Sequence, residues 1–488
     1  MTKYKVILSI LFCLAVVTLM MIGCSQWNTP KEPLDPAHPA TITLWNYYSG
    51  QTKEKFDQLV SRFNETVGME KGIVVDALSQ GDVQQLANTV FDAANNKIGS
   101  QPLPHIFAAY PDNAYRINQI SPLVDMETYF SKEELKEFRQ DFMDEGRFGE
   151  ENKLKILPIA KSTENLFLNK TYWDAFEAET GADINELSTW EGVARIAEKY
   201  YEWTDAKTPE INDGKAFIGI DSPSNYMLVA SMQLNEDMYI FEGEGVKLNF
   251  NEKFVRKIWD NFYVPYLKGY YTKTGRFCSD DAKTGTVIAY VGSTAGAAYF
   301  PREITLSKTE IYPIESEALP YPCFEHGENY AIQQGAGMCI TKSDPAHEYA
   351  AALFLKWFTA KEQNVEFAVS TGYFPVKTAS LNEALILSAS HKVDVDALNP
   401  TITNSIKATL KMMDAYKLYG NKPFNGSYDM RRLLETSMFQ QVQKDLQYIE
   451  ENTQKGEDRN QRIEHLLSEE NFKKWYFQFM QETAAILR

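Results

Sequence analysis

The sequence predicts an α/β protein of two lobes, each a mixed, mostly parallel sheet flanked by helices, joined by a hinge of three crossings. Strand and helix patterns alternate from Ala40 to Ala109 at the spacing of a doubly wound sheet. The stretch Lys153–Trp173 reads as a strand, a polar break at Lys161-Ser162-Thr163 and a second strand, as a chain does when it leaves one sheet for another. Turns of small residues recur near Val291 and Val376, which completes three candidate crossings near Leu157, Val291 and Val376. At 488 residues the chain is long enough for two lobes with large cores.

In chain order, Lys3 and Lys5 precede an uncharged, largely apolar run from Val6 to Ile22, the pattern of a secretory signal. Met21-Ile22-Gly23-Cys24 resembles a bacterial lipobox, which implies removal of residues 1–23 and lipidation of Cys24. A single amino-terminal membrane anchor is the alternative. Residues 24–40 then read as a Pro-rich extended tether. Both readings place the body outside the cytoplasm.

Ala40–Trp45 alternates as a strand, Thr52–Asn64 has the apolar spacing of a helix, and Ile73–Leu78 is a second strand. Val83–Phe91 is helical and His105–Ala109 a third strand. Ligands of such sheets lie beyond the carboxyl ends of the strands, which points to Tyr47, Tyr48, Tyr110 and Asp112. Phe130–Arg147 is acidic and helical. Beyond the first crossing, Ser188 or Thr189 caps a helix that opens on Trp190, a core residue. Phe217–Ile220 is a strand, Tyr226–Leu234 a helix, Phe241–Val246 a loop before the strand Lys247–Phe250, and Phe254–Tyr266 an amphipathic helix. Thr286–Val291 is a strand that ends in Gly292-Ser293-Thr294-Ala295-Gly296, whose free amides suit a hydroxyl or an oxyanion. Gly335-Ala336-Gly337 lets a ligand approach the backbone closely. Asp344 opens a strong helix, and residues 379–488 are mostly helical. These boundaries divide the chain into one lobe of residues 41–157 plus 292–375 and another of residues 158–291 plus 376–488.

Composition narrows the partners. The formal charge of −17 disfavours nucleic acid and anionic lipid surfaces. Apart from Cys13 and Cys24, only Cys278, Cys323 and Cys339 remain, so this is no disulfide scaffold, and buried free thiols are expected. His347-Glu348 lacks the second histidine of a zinc helix, and Gly-Ser-x-x-Gly at Gly292 is not a nucleophile elbow. No catalytic residue, metal or cofactor is therefore expected.

Several of these segments carry a family resemblance. Pro158, Ser162, Thr163, Leu168, Asn169 and Lys170 resemble a segment of the family 1 extracellular solute-binding proteins of ABC importers. The run Gly335–Val376, ending in Thr371-Gly372-Tyr373-Phe374-Pro375, is most similar to the branch that binds sugars and glycerol phosphates. Pro423–Tyr428 followed by Met430-Arg431-Arg432 resembles the family's carboxyl-terminal helices. The resemblance implies a periplasmic-binding-protein-like fold of type II and a monomer that captures a small solute by hinge closure and delivers it to a permease. It carries ligand contact to Tyr373, and to Ser293 and Gly335 as small-residue positions.

Side-chain chemistry adds Tyr48, Tyr110, Lys161 and Ser162 to the expected ligand set, with Tyr226 and Tyr299 as further candidates. Aromatic faces pack on sugar C–H surfaces while hydroxyls and amides bond the rim, so a sugar or oligosaccharide is the expected solute. An anionic polyol of the glycerol-phosphate type follows if Lys161 faces the cleft. The competing class is a surface glycoside hydrolase working through a carboxylate pair, and a third is an adhesin.

Overall fold

A computed structural model describes residues 34–149, 151–242, 245–305, 310–382, 386 and 400–487. The signal segment and Cys24 lie outside the described residues, as does most of the tether.

The first lobe opens with β1 (Ala40–Asn46), α1 (Gly50–Phe63), β2 (Ile73–Ser79), α2 (Val83–Ala94), β3 (Ile106–Ala109) and α3 (Pro111–Asn118). The second lobe is built on β4 (Glu164–Asn169), α4 (Trp190–Asp205), β5 (Ile218–Ile220), α5 (Pro223–Gln233), β6 (Ala289–Ser293) and β7 (Ser316–Leu319). The chain returns to the first lobe with β8 (Gly337–Ile340), α6 (Pro345–Phe358) and α7 (Lys361–Thr371). It ends on the second with α8 (Pro400–Ala415), α9 (Ser427–Thr453) and α10 (Glu469–Ile486). Among the described residues no helix is long and apolar enough to cross a membrane.

In the first sheet the strand order is β8-β3-β1-β2, with β1 parallel to β2 and to β3 and only β8 antiparallel. Side chains such as Ile42, Leu44, Phe56, Phe63 and Phe107 fill a core between this sheet and α1, α2 and α6. The second sheet has the order β7-β4-β6-β5, and only β6 and β5 run parallel. It is thus mixed rather than mostly parallel. A helical crossover within one lobe forces parallel neighbours, whereas β4 arrives from the other lobe and is free of that constraint. Its core includes Trp173, Trp190, Trp259 and Phe262, all at most 1% exposed.

Two of the expected boundaries move. The strand Ser316–Leu319, assigned from the sequence to the first lobe, pairs with β4 in the second sheet, and Val291 sits inside β6 of the same sheet. The second crossing therefore falls at Gln333–Ala336 rather than near Val291. Small residues after a strand mark a turn in either case, and the sequence does not say whether the next strand stays or leaves. Phe241 and Val246, expected in a loop, pair with each other in a hairpin of Tyr239–Glu242 against Gly245–Leu248. The third crossing follows Lys377, which bridges Phe138 of the first lobe; Ile386 and then Ile402 of α8 pack with Phe167 of the second sheet.

Cys278, Cys323 and Cys339 are free and buried. Burial pushes the Cys323 thiol up to about 11 and raises the other two well above the ordinary range.

Candidate functional site: the interlobe cleft

The crossings pair with one another. Leu157 and Met338 exchange both backbone hydrogen bonds at 2.9 Å, Ser162 and Gln334 exchange theirs at 2.8 and 2.9 Å, and the Lys161 amide donates to the Phe374 carbonyl at 3.1 Å. The result is a short ladder joining the lobes at the base of the cleft. Gly335 adopts φ +91°, and a Cβ there would lie 2.5 Å from the Ala160 carbonyl oxygen, so glycine is required by conformation and by space. Gly372, at φ +77°, meets the Thr294 carbonyl oxygen at 2.5 Å in the same way.

From the first lobe, Tyr47 and Tyr48 follow β1, Tyr110 stands at the N-cap of α3 with Pro111 behind it, and Tyr373 follows α7. Tyr373 stacks on Phe367 at 5.9 Å between centroids, and its hydroxyl lies 3.4 Å from that of Tyr47. The Gly335 and Ala336 amides interact with the Tyr110 and Tyr47 hydroxyls respectively. Burial raises the pKa of all four phenols, so each hydroxyl stays a neutral donor and acceptor.

The second lobe supplies charge and amides. Arg431, one turn into α9, donates to Asn225 Oδ1 at 3.1 Å, and its guanidinium lies 5.5 Å from the Tyr110 ring centroid across the cleft. Burial opposes its charge, but Asp112, Tyr110, Glu435 and Glu145 outweigh burial and hold its pKa above the ordinary value. Asn225 also donates to Glu164 Oε1 at 2.8 Å. Glu164 is 2% exposed, and burial pushes its carboxyl up to about 8. Asp112, facing from α3, is likewise raised by burial and pulled back by Arg431.

Of the residues expected at the ligand, Tyr110, Tyr373, Gly335 and Ser293 come together at the cleft with Tyr47. Ser293 ends β6, and its hydroxyl donates to that of Ser162 at 3.3 Å. Ser162 is itself 4% exposed and committed to the ladder. Tyr48 lies beneath Tyr373, packed on Phe56 at 5.1 Å and Phe367 at 5.7 Å. Lys161 is 3% exposed, and its ammonium is paired with Glu145 and donates to the Gly335 carbonyl at 3.1 Å. Gln333 donates to the same Glu145 carboxylate. Tyr226 is core, edge-on to Trp190 at 4.8 Å, and Tyr299 stands at the rim, where it donates to the Ser49 carbonyl at 3.1 Å.

Asn225, Glu164 and Glu145 escaped sequence reasoning, and Arg431 was read only as part of a carboxyl-terminal motif. Asn225 follows the Ser222-Pro223 start of α5, and Arg431 lies one turn after Gly426 opens α9; both are helix-start positions that could have directed attention to a cleft.

Two α/β lobes on a paired hinge, with polar and aromatic groups converging from both sides, define a protein that encloses a small molecule. The chain belongs to the bacterial extracellular solute-binding protein family, whose model matches residues 58–394. It is similar in structure to the cyclic alpha-maltosyl-1,6-maltose binding protein from Arthrobacter globiformis, at a TM-score of 0.64 and 16% identity over 92% of this chain and 99% of that one. UgpB from Mycobacterium tuberculosis, solved with glycerophosphocholine, matches at a TM-score of 0.62 and 17% identity over 85% of this chain and 99% of that one. Maltose-bound MalE3 of T. maritima matches at a TM-score of 0.61 and 15% identity over 90% and 99% of the two chains. No curated protein sequence matches the chain.

Proposed function

We propose that this protein captures a neutral sugar or oligosaccharide between its lobes and delivers it to the permease of an ABC importer. It acts as an extracytoplasmic monomer anchored by lipid at Cys24. The solute is held by Tyr110, Tyr373 and Tyr47 from one lobe, by Arg431 and Asn225 from the other, and by the small residues Gly335 and Ser293 at the base. The maltose bound to one of the similar structures and the maltosaccharide after which another is named support a saccharide.

One observation carries the choice of a neutral solute over an anionic one. The Lys161 ammonium is occupied by Glu145 and the Gly335 carbonyl. Arg431, the remaining cation described at the cleft, already faces Asp112, Glu435 and Glu145. A phosphate entering there would meet more carboxylate than free cation, whereas a sugar hydroxyl can bond either kind of group.

A thermal-shift panel of maltotriose, cyclic maltosaccharides, glycerol 3-phosphate, glycerophosphocholine and amino acids tests this. A solute at 100 times its Kd stabilises by about 2.7 kcal/mol, an easily read rise in midpoint. Expected is a shift with a neutral saccharide that Tyr373→Ala abolishes; a shift confined to the phosphate compounds overturns the neutral-solute reading, and no shift with any of the panel overturns the sugar assignment.

A further inference from the structure

The lobes also meet at a place distinct from the solute-facing groups. Helix α2 of the first lobe is capped by Asp82, whose carboxylate accepts from the Gln85 amide at 2.7 Å, and it presents Gln84 and Asn88 on its exposed face. Tyr428, in the first turn of α9, reaches across from the second lobe. Its hydroxyl hydrogen-bonds the Gln84 amide and lies 3.4 Å from Asn88 Oδ1. Its ring lies 3.7 Å from the Arg116 guanidinium, which is also 4.1 Å from the Phe91 ring centroid and so sits between aromatics of the two lobes. Arg116 is fixed in turn by Asn113 Oδ1 at 2.9 Å and the Ala87 carbonyl at 3.3 Å. Although it stands at a rim, Tyr428 is only 8% exposed. A second contact on the same helix joins Arg276 to Asp82.

We propose that Tyr428, one turn before Arg431 on the same helix, is an interlobe latch that stabilises the closed form by protein–protein contacts alone. The inference rests on the reading that this cleft closes on a hinge. The two contacts differ in weight. Arg276 and Asp82 are 60% and 31% exposed, and such a pair contributes little to closure. Tyr428 combines a desolvated cation–π contact with hydrogen bonds, both lost on opening.

A latch of this kind acts on population. Apparent affinity is the intrinsic affinity reduced by the fraction of molecules in the competent closed form. Weakening the latch therefore lowers the affinity for every solute by the same factor, whereas removing a solute contact changes some solutes more than others.

The test reads lobe separation without solute. Cysteines introduced as Ile98→Cys in the first lobe and Ile211→Cys in the second, at positions 103% and 83% exposed, carry spin labels, while Cys278, Cys323 and Cys339 stay buried. Pulsed dipolar distances are then compared for the parent, Tyr428→Phe, Tyr428→Ala and Arg276→Ala. Expected is a dominant short distance in the parent, a closed-to-open ratio lowered at least tenfold by Tyr428→Ala, an intermediate effect of Tyr428→Phe, which keeps the ring under Arg116, and less than twofold from Arg276→Ala. Titration with maltotriose, where it binds, should weaken by the factor read from the distances while the thermal midpoint without solute stays within a few degrees. Identical distance distributions in the parent and both Tyr428 variants overturn the latch, as does a parent already open. If maltotriose fails to bind, the solute assignment is at fault and the distances still decide the latch.

Discussion

Replacing Glu164 with glutamine removes a buried proton-binding group while keeping its shape and its acceptor for Asn225 and Gln334. The carboxyl opens β4 at 2% exposure and accepts from Asn225 Nδ2 at 2.8 Å and Gln334 Nε2 at 3.3 Å. Burial, with Asp221 and Glu435 adding and Asn225 and Arg431 opposing, raises its pKa from 4.5 to about 8. Between those values the folded protein holds a proton that the unfolded chain has released, so stability present below pH 4.5 is lost as pH rises toward about 8. A shift of this size corresponds to about 5 kcal/mol across that window. Glutamine does not titrate, so the variant should be free of this loss. Urea unfolding followed by tryptophan fluorescence, from about pH 5 to about pH 9, measures the difference as a change in midpoint at constant slope. The two proteins should be of similar stability at the acidic end, with the variant ahead by several kcal/mol at the alkaline end. A difference that stays flat across the range would refute the assignment of a retained proton to Glu164.

Other outcomes follow from the same fold. Lys161→Ala leaves Glu145 buried with Gln333 as its remaining partner of that pair, and unfolding by urea should register a loss of about 3–5 kcal/mol. Gly335→Ala forces a side chain into φ +91° against the Ala160 carbonyl, which should lower stability by about 1–3 kcal/mol, read as a reduced thermal midpoint. Thr189→Ala removes the oxygen that accepts from the Gly192 amide at 3.1 Å, which should cost about 1 kcal/mol while calorimetric titration shows solute affinity unchanged. Tyr373→Phe keeps the stack on Phe367 but loses the hydroxyl near Tyr47, and the same titration should show affinity weakened by about tenfold, or 1.4 kcal/mol.

The first lobe was legible because its strands and helices alternate locally: β1, β2 and β3 begin and end within a residue or two of the patterns that announced them. Thr189 could be read as a cap because the cap is made by neighbours in sequence. Lobe membership was harder. The strands β6 and β8 both neighbour small-residue turns, and what assigns one to each lobe is pairing with β4 and with β3, more than 100 residues away in either case. At the cleft, Tyr110, Tyr373 and Gly335 were expected from loop position and motif, whereas the pairing of Lys161 was not legible because its partner Glu145 lies in an acidic helical stretch with many equivalent carboxylates. A lysine in a polar turn looks free until the residue that neutralises it is placed.

The ladder at the base of the cleft has a mechanical consequence. Because Leu157 bonds Met338 and Ser162 bonds Gln334 in both directions, the first two crossings cannot slide past one another without breaking backbone hydrogen bonds in a buried place. Relative motion of the lobes is thereby restricted to torsion along this two-stranded segment, with little translation or shear. A lever pivoting on such an axis moves least beside the axis, at Gly335. The floor of the cleft thus keeps its shape throughout the stroke, and a solute can settle there before the opposite wall arrives.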